Sequence, residues 1–294
     1  MKKTAEKIQR VGLLANSDKK SSRPLVRKAD SLIRATGRTV CADAATAKLA
    51  GLTLPVFPDA ASLAREVDLL IVFGGDGTML RVAREIAGSK TLLIGINVGS
   101  LGFLTDVTAE QLPLALKQIW AGETMLETRP LIEATGRTGA SRIAESALND
   151  FVIGRGAAPR LIELEVSVDG EVLTNYRCDG VIICSPTGST AYSLSAGGAV
   201  VSPNADVFTL TPVCPHTLSN RSVIVSLRST VRVRVLSQRV ETILTADGQK
   251  MIPLSFGDVV TIRRSRQGIR LLHLAGSSFF ETLRRKLHWS GSNV

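Results

Sequence analysis

The chain has 294 residues, 44% hydrophobic and 21% charged, with 25 Gly and 11 Pro, an ordinary globular composition that excludes wholesale disorder, collagen and coiled coil. The length suggests two domains, and with aromatics at 4% the cores must be built mainly from Leu, Val, Ile and Ala. Lys and Arg number 36 against 26 Asp and Glu, leaving +10, yet the excess is spread evenly, 18 basic to 13 acidic residues on each side of the Pro130–Leu131 bond; that excludes a basic nucleic-acid-binding arm and leaves a field that suits small phosphate-bearing molecules.

The start, Met1-Lys2-Lys3, resembles the basic end of a signal peptide, but Thr4 to Arg10 is no apolar core. Val11-Gly12-Leu13-Leu14-Ala15 reads as a first strand, and Pro24 to Thr36 as a helix closed by Gly37. Val67 to Phe73 contains Leu69-Leu70-Ile71-Val72-Phe73, apolar on both faces as a buried parallel strand should be. Met79, Leu80, Val82, Ala83, Ile86 and Ala87 follow helical spacing, with Gly88 placed to end that helix. Thr91 to Ile96 is the next strand. This is βα patterning, and residues 1–130 are expected to form an α/β domain with a mainly parallel, Rossmann-like sheet.

Between Gly122 and Pro130 the period changes to two. Ile162, Leu164, Val166 and Val168 alternate with polar residues up to an Asp169-Gly170 turn, and Val231, Val233 and Val235 alternate with Arg232 and Arg234. Asp247-Gly248 and Gly257-Asp258 are further turns. Residues 131–270 are expected to be a β-rich, antiparallel domain. Phe280 to Trp289, rich in Arg and Lys, reads as a short helix.

Cys41, Cys178, Cys184 and Cys214 form no CxxC, and four scattered cysteines in a long chain point to the reducing cytoplasm. No run approaches the roughly 20 apolar residues needed to span a bilayer. His216, His273 and His288 are too far apart for a ligand pattern, and no HExxH or Ser-His-Asp order supports a metalloprotease or hydrolase.

Two segments carry chemistry. Gly74-Gly75-Asp76-Gly77-Thr78 lies between the buried strand and the amphipathic helix. Glycines there let backbone approach a ligand, and a helix N-terminus suits phosphate. Asp76 is out of place beside phosphate, so it needs a reason: holding a ribose hydroxyl, taking its proton, or binding through a metal. The alternative is a tight turn with an Asp cap. Neither a GxxxxGK[ST] loop nor a complete GxGxxG is present. The second segment runs from Asp179-Gly180 through Val181–Cys184 into Ser185-Pro186-Thr187-Gly188-Ser189-Thr190-Ala191-Tyr192-Ser193-Leu194-Ser195-Ala196-Gly197-Gly198. Small side chains leave room for a ligand, hydroxyls suit ribose, and Tyr192 offers a ring or a hydroxyl to a base. One segment falls in each expected domain, so the ligand is expected in a cleft between them.

Together with Leu148-Asn149-Asp150 and Leu210-Thr211-Pro212-Val213-Cys214-Pro215-His216-Thr217-Leu218-Ser219-Asn220-Arg221, these segments resemble the bacterial NAD kinase family over nearly the whole chain. The glycine-aspartate turn is shared with diacylglycerol kinases and phosphofructokinases; the combination with Thr190–Ser195 is more specific. Asp150 stands where many members have Glu, and Gly197-Gly198-Ala199 replaces a commoner Gly-Gly-Pro. The resemblance implies transfer of the terminal phosphoryl group of ATP, or of polyphosphate in some members, to the 2′-hydroxyl of the adenosine ribose of NAD, giving NADP. It implies Asp76 as the catalytic base and Gly77, Asn149, Asp150, Arg160, Arg177, Asp179, Thr190, Ala191, Tyr192, Ser193, Leu194, Ser195 and Gln249 as further NAD contacts. It implies Mg²⁺ carried by the donor, no nucleic-acid or membrane partner, a homo-oligomer (dimer or tetramer) associating through the β domain, and a tail, residues 271–294, packing back on the first domain. Two other readings remain: a lipid kinase of the same superfamily, which should show a membrane-facing amphipathic stretch, and a non-catalytic nucleotide sensor or nucleic-acid-binding protein, which would not need Asp76.

Overall fold

Strand-like and helix-like runs alternate up to Arg129, and the computed structural model, which describes residues 7–17, 19–99, 101–105, 107–217 and 219–289, turns them into a wound α/β sheet. The Met1–Glu6 start, Leu218 and the last five residues of the expected tail lie outside the described residues. The chain separates into two compact units, Met1–Arg129 with Gly268–Val294, and Pro130–Gln267.

In the first unit the order is β1 (Arg10–Ala15), α1 (Ser22–Arg34), β2 (Thr39–Asp43), α2 (Ala44–Ala50), β3 (Val56–Phe57), α3 (Ala60–Glu66), β4 (Leu69–Gly74), α4 (Asp76–Glu85), β5 (Leu92–Asn97), β6 (Val107–Thr108) and α5 (Leu112–Ala121). The sheet runs β5-β4-β1-β2-β3, every pair parallel. β4 is buried at all six positions, as its unbroken apolar run requires. Each of its large side chains contributes about 1.5–3 kcal/mol over leaving it in water. The helix expected over Pro24–Thr36 spans Ser22–Arg34 instead. Its last residues tighten into a turn in which the Thr36 hydroxyl donates to the Ile33 carbonyl. Helices α2 and α3, too short to show periodicity, are each started by an aspartate cap: Asp43 accepts the Thr46 N–H and Asp59 the Ser62 N–H.

The second unit is antiparallel. It contains part of β7 (Thr124–Thr138), then β8 (Ser141–Ala147), β9 (Asp150–Arg155), β10 (Ile162–Val168), β11 (Glu171–Cys178), β12 (Gly180–Cys184), the short helix α6 (Tyr192–Ser195), β13 (Val207–Val213), β14 (Val223–Ser226), β15 (Val231–Val235), β16 (Thr242–Ala246), β17 (Lys250–Leu254) and the first half of β18 (Val259–Leu274). One sheet runs β14-β13-β12-β9-β16-β17; β11, β10, β15 and β18 form consecutive antiparallel pairs in the other. Their inner faces share one core that includes Phe151, Ile183, Leu164, Val233 and Ile262. The alternation read in β10 and β15 is the pattern of a sheet with one face on that core. The far end of β18 returns to the first unit, where Arg270 and Leu271 pair parallel with Leu92 and Leu93 of β5. The final helix, α7 (Phe279–Leu287), belongs there too; its Lys286 ammonium donates to the Leu101 carbonyl at 2.7 Å.

Candidate functional site

In the first unit β4 ends at Gly74, and Gly75 lets the chain turn into α4, whose first residue is Asp76. The Asp76 carboxylate is already engaged. Oδ2 accepts the Phe103 N–H at 2.8 Å, and Oδ1 accepts the Leu104 N–H at 3.0 Å and the Thr105 hydroxyl at 3.4 Å. A Cβ on Gly102 would collide with Oδ1, so only glycine lets this loop close over the carboxylate. Asn97, at the end of β5, extends the network: its Nδ2 donates to the Thr105 hydroxyl at 2.9 Å and its Oδ1 accepts the Gly99 N–H at 2.6 Å. The reason for an aspartate in this turn therefore includes a structural one, which the sequence did not disclose. Asn97 and Thr105 were missed because nothing local marks them; they meet Asp76 only through the sheet.

The second unit holds a cavity of about 600 Å³. Of the residues the resemblance implies, Asn149, Asp150, Asp179, Ala191 and Tyr192 line it. They come from the start of β9, the β11–β12 junction and the start of α6. Tyr192 is 47% exposed, so its ring is available to a ligand. Arg155 and Asp247 also line the cavity and were not singled out. Arg155 Nε donates to Asp179 Oδ1 at 2.8 Å, which orients that carboxylate. Asp247 sits in the left-handed region (φ 49°) of a hairpin and accepts three backbone N–H groups, from Leu148, Asn149 and Asp150, at 3.1, 2.8 and 3.2 Å. The Asp247-Gly248 pair, read only as a turn, thus positions the Asn149-Asp150 segment.

The other implied residues lie outside this lining. Ser193 is buried, its hydroxyl 2.9 Å from that of Thr211, so it holds the fold of its own segment. Ser185 and Ser189 also turn inward, to the carbonyls of Leu148 and Pro186. The expectation that this run presents its hydroxyls to a ligand is corrected for these three: they stand four residues apart, a spacing that puts each on the inward face of the successive turns packed on β12. Thr190 ends the short 3-10 turn Thr187–Thr190, and Leu194 and Ser195 lie in α6. Arg160 is exposed, Arg177 is exposed and paired with Glu163 at 3.1 Å, and Gln249 is exposed at the hairpin tip. Gly77 is exposed in the first turn of α4.

Burial, with the Asp247 charge beside it, pushes the Asp150 carboxyl up to about 7. Such a group binds a proton in the fold that it has shed in the unfolded chain. Its contribution to stability is thus complete below about pH 4 and lost as pH rises through 7. We expect ligand-free wild-type protein to lose several degrees of Tm between pH 5 and 8 that Asp150→Asn does not lose; parallel melting curves for the two would refute the shift. Cys178 and Cys184 are pushed up to about 12 and 11, chiefly by burial, and are inert as nucleophiles near neutral pH. Among the described residues no group of three or more His, Cys, Asp or Glu is arranged to hold a metal ion, and no helix is long and apolar enough to cross a membrane.

Comparison with known proteins reaches the same segments. Residues 11–124 match the ATP-NAD kinase N-terminal domain and residues 148–274 the ATP-NAD kinase C-terminal domain. An NAD kinase of Thiobacillus denitrificans is 41% identical over 95% of this chain and 96% of its own. An NAD kinase of Syntrophotalea carbinolica is 46% identical over 79% of this chain and 81% of its own. Among solved structures, yeast NADH kinase complexed with NADH superposes with a TM-score of 0.87 at 27% identity, covering 98% of this chain and 89% of that one. An NAD kinase from Archaeoglobus fulgidus in complex with ATP gives 0.74 at 25% identity, covering 96% and 100%.

Proposed function

The chain belongs to the ATP-NAD kinase family and phosphorylates NAD to NADP with ATP as donor, and from that premise we propose how its residues divide the work. Phosphoryl transfer needs positioning and charge neutralisation more than covalent chemistry from the protein. Asp76 accepts the proton of the adenosine 2′-hydroxyl as the new O–P bond forms and the bond from the terminal phosphorus to ADP breaks. The proton leaves late, so an ordinary carboxylate suffices as its acceptor. Asn149, Asp150, Asp179, Ala191 and Tyr192 bind NAD. The observation that supports this reading best is that three segments far apart in sequence line one cavity in the second unit. Gly77, Arg160, Arg177, Thr190, Leu194, Ser195 and Gln249 are proposed as contacts on the family pattern alone, the two arginines for pyrophosphate charge.

Mg²⁺ is proposed to arrive on the phosphates of ATP. There it would neutralise the charge that develops on the transferred phosphoryl group; among the described residues no group of three or more His, Cys, Asp or Glu is arranged to hold it. We further propose a cytoplasmic homo-oligomer, dimer or tetramer, associating through the β-rich unit; sedimentation at two concentrations tests that assembly. A coupled assay of NADP or NADPH formation, with ATP or inorganic polyphosphate as donor and NAD or NADH as acceptor, tests the activity. No turnover with ATP and NAD would overturn it.

Tyr192 contacts should form equally in the ground and transition states. Tyr192→Ala is therefore expected to raise the KM for NAD about ten-fold or more, the loss of roughly 1.4 kcal/mol of binding, with kcat changed much less. An unchanged KM beside a lowered melting temperature would make Tyr192 a packing residue.

A further inference from the structure

A second cavity, of about 710 Å³, lies in the first unit at the amino ends of β1, β4 and β5. It is far from the Gly74–Asp76 turn: β4 separates them, and six residues of strand span about 20 Å. Four cations line it, Lys7, Arg65, Lys90 and Arg270, and among the described lining residues the one carboxylate is Asp68. That carboxylate is already committed, its Oδ2 accepting the N–H groups of Gln9 and Arg10 at 2.9 and 2.8 Å. None of the four cations forms a direct ion pair with a described carboxylate, although the exposed Asp59 carboxylate lies within electrostatic reach of Arg65. Arg65 donates to the Ser62 hydroxyl at 3.0 Å and Arg270 to the Lys90 carbonyl at 2.9 Å, neutral hydrogen-bond partners that hold the guanidiniums in place. The floor is apolar and buried, formed by Ile8, Val67 and Leu92.

Some surface cations of this chain are neutralised by carboxylates, as Arg10 is by Glu66, Arg34 by Asp30 and Arg81 by Glu85. Four left around one concavity repel one another, and a concave low-dielectric wall concentrates their field. A multiply charged anion relieves that repulsion, and an oligophosphate matches both the charge and the donor chemistry of Lys and Arg.

We infer that this cavity is a second anion site, separate from the reaction turn, that binds an oligophosphate group, whether free or carried on a nucleotide whose base would cover the apolar floor. The site is independent of the roles assigned to Asp76 and Tyr192. Hydrogen exchange on the full chain tests it, with inorganic tripolyphosphate and with guanosine diphosphate as probes, each against sodium chloride of equal ionic strength. Residues 64–68 and 89–92 should be protected by at least one probe in the wild type, with affinity at least ten-fold weaker in the double variant R65E/K90E. Both proteins should form NADP at the same rate in the absence of probe. Stronger protection by the diphosphonucleoside around Ile8 and Val67 assigns the floor to a base; equal protection assigns the site to the phosphates alone. Absence of protection in the wild type, or equal protection in the variant, overturns the inference. Should the charge reversals unfold the chain, K90A and R65A singly should each weaken binding measurably, and unchanged affinity in both would count against the site equally.

Discussion

Asp76→Asn should fold, bind NAD, and form NADP about 10²–10⁴-fold more slowly than the wild type, the scale on which a lost general base is felt. The hydrogen bonds of this carboxylate sharpen the test. An asparagine keeps one oxygen, enough for either the Phe103 or the Leu104 N–H, and turns its own NH₂ toward the other. That mismatch should cost about 1–3 kcal/mol locally and appear as a modest fall in Tm. Loss of the loop bonds alone predicts a melting defect with turnover reduced only a few-fold. Loss of the base predicts the full kinetic defect even well below the Tm. Near-normal turnover by folded Asp76→Asn would leave Asp76 as the pin of residues 101–105 and nothing more.

Asp247→Ala is expected to have the largest effect on stability. Three backbone donors in succession, at Leu148, Asn149 and Asp150, lose their shared acceptor. The three bonds are part-buried beside the cavity, so each donor is expected to lose about 1 kcal/mol, the low end for an unsatisfied donor, and three together remain a large fraction of a marginal total. The same change frees the Asn149-Asp150 segment to move, so the KM for NAD should rise more than ten-fold in whatever protein remains folded. Asp247→Asn retains one oxygen and should fall between the two. With the Asp247 charge gone the Asp150 carboxyl should titrate lower, which exchange or NMR titration can read. Melting of Asp247→Ala within a degree or two of the wild type would show that the three bonds are dispensable.

What was legible in the sequence was whatever depends on neighbours along the chain. Leu69–Phe73 is apolar without interruption because both its faces are covered, and the glycines after it announce the turn. The two-residue period of Ile162–Val168 and Val231–Val235 reports a sheet with one wet face. The resemblance marked five of the residues that line the cavity. What escaped was long-range. Asp247 meets its donors 97 to 99 positions away. Arg155 meets Asp179 across 24 positions, and Asp76 meets its loop across 27 to 29. A carboxylate in a hairpin turn looks the same from its neighbours whether it faces water or anchors another segment. The hydroxyl-rich run misled for a related reason. Composition shows that hydroxyls are plentiful in residues 185–195; only the turn of the backbone shows that Ser185, Ser189 and Ser193 spend theirs inward.

The chain leaves its first unit after Arg129 and returns to it at Gly268, and that ordering matters while the polypeptide is being made. At translation speeds of about 5–20 residues per second, roughly 7–28 s separate the emergence of the two pieces. Throughout that interval β5 waits without the strand that pairs with Leu92 and Leu93, and the loop carbonyl of Leu101 waits without Lys286. The antiparallel unit has no such debt, since its residues are contiguous and can close as soon as Gln267 clears the ribosome. The half of the protein synthesised first is thus the half completed last, and its unfinished sheet edge is the surface a nascent-chain chaperone would be expected to cover.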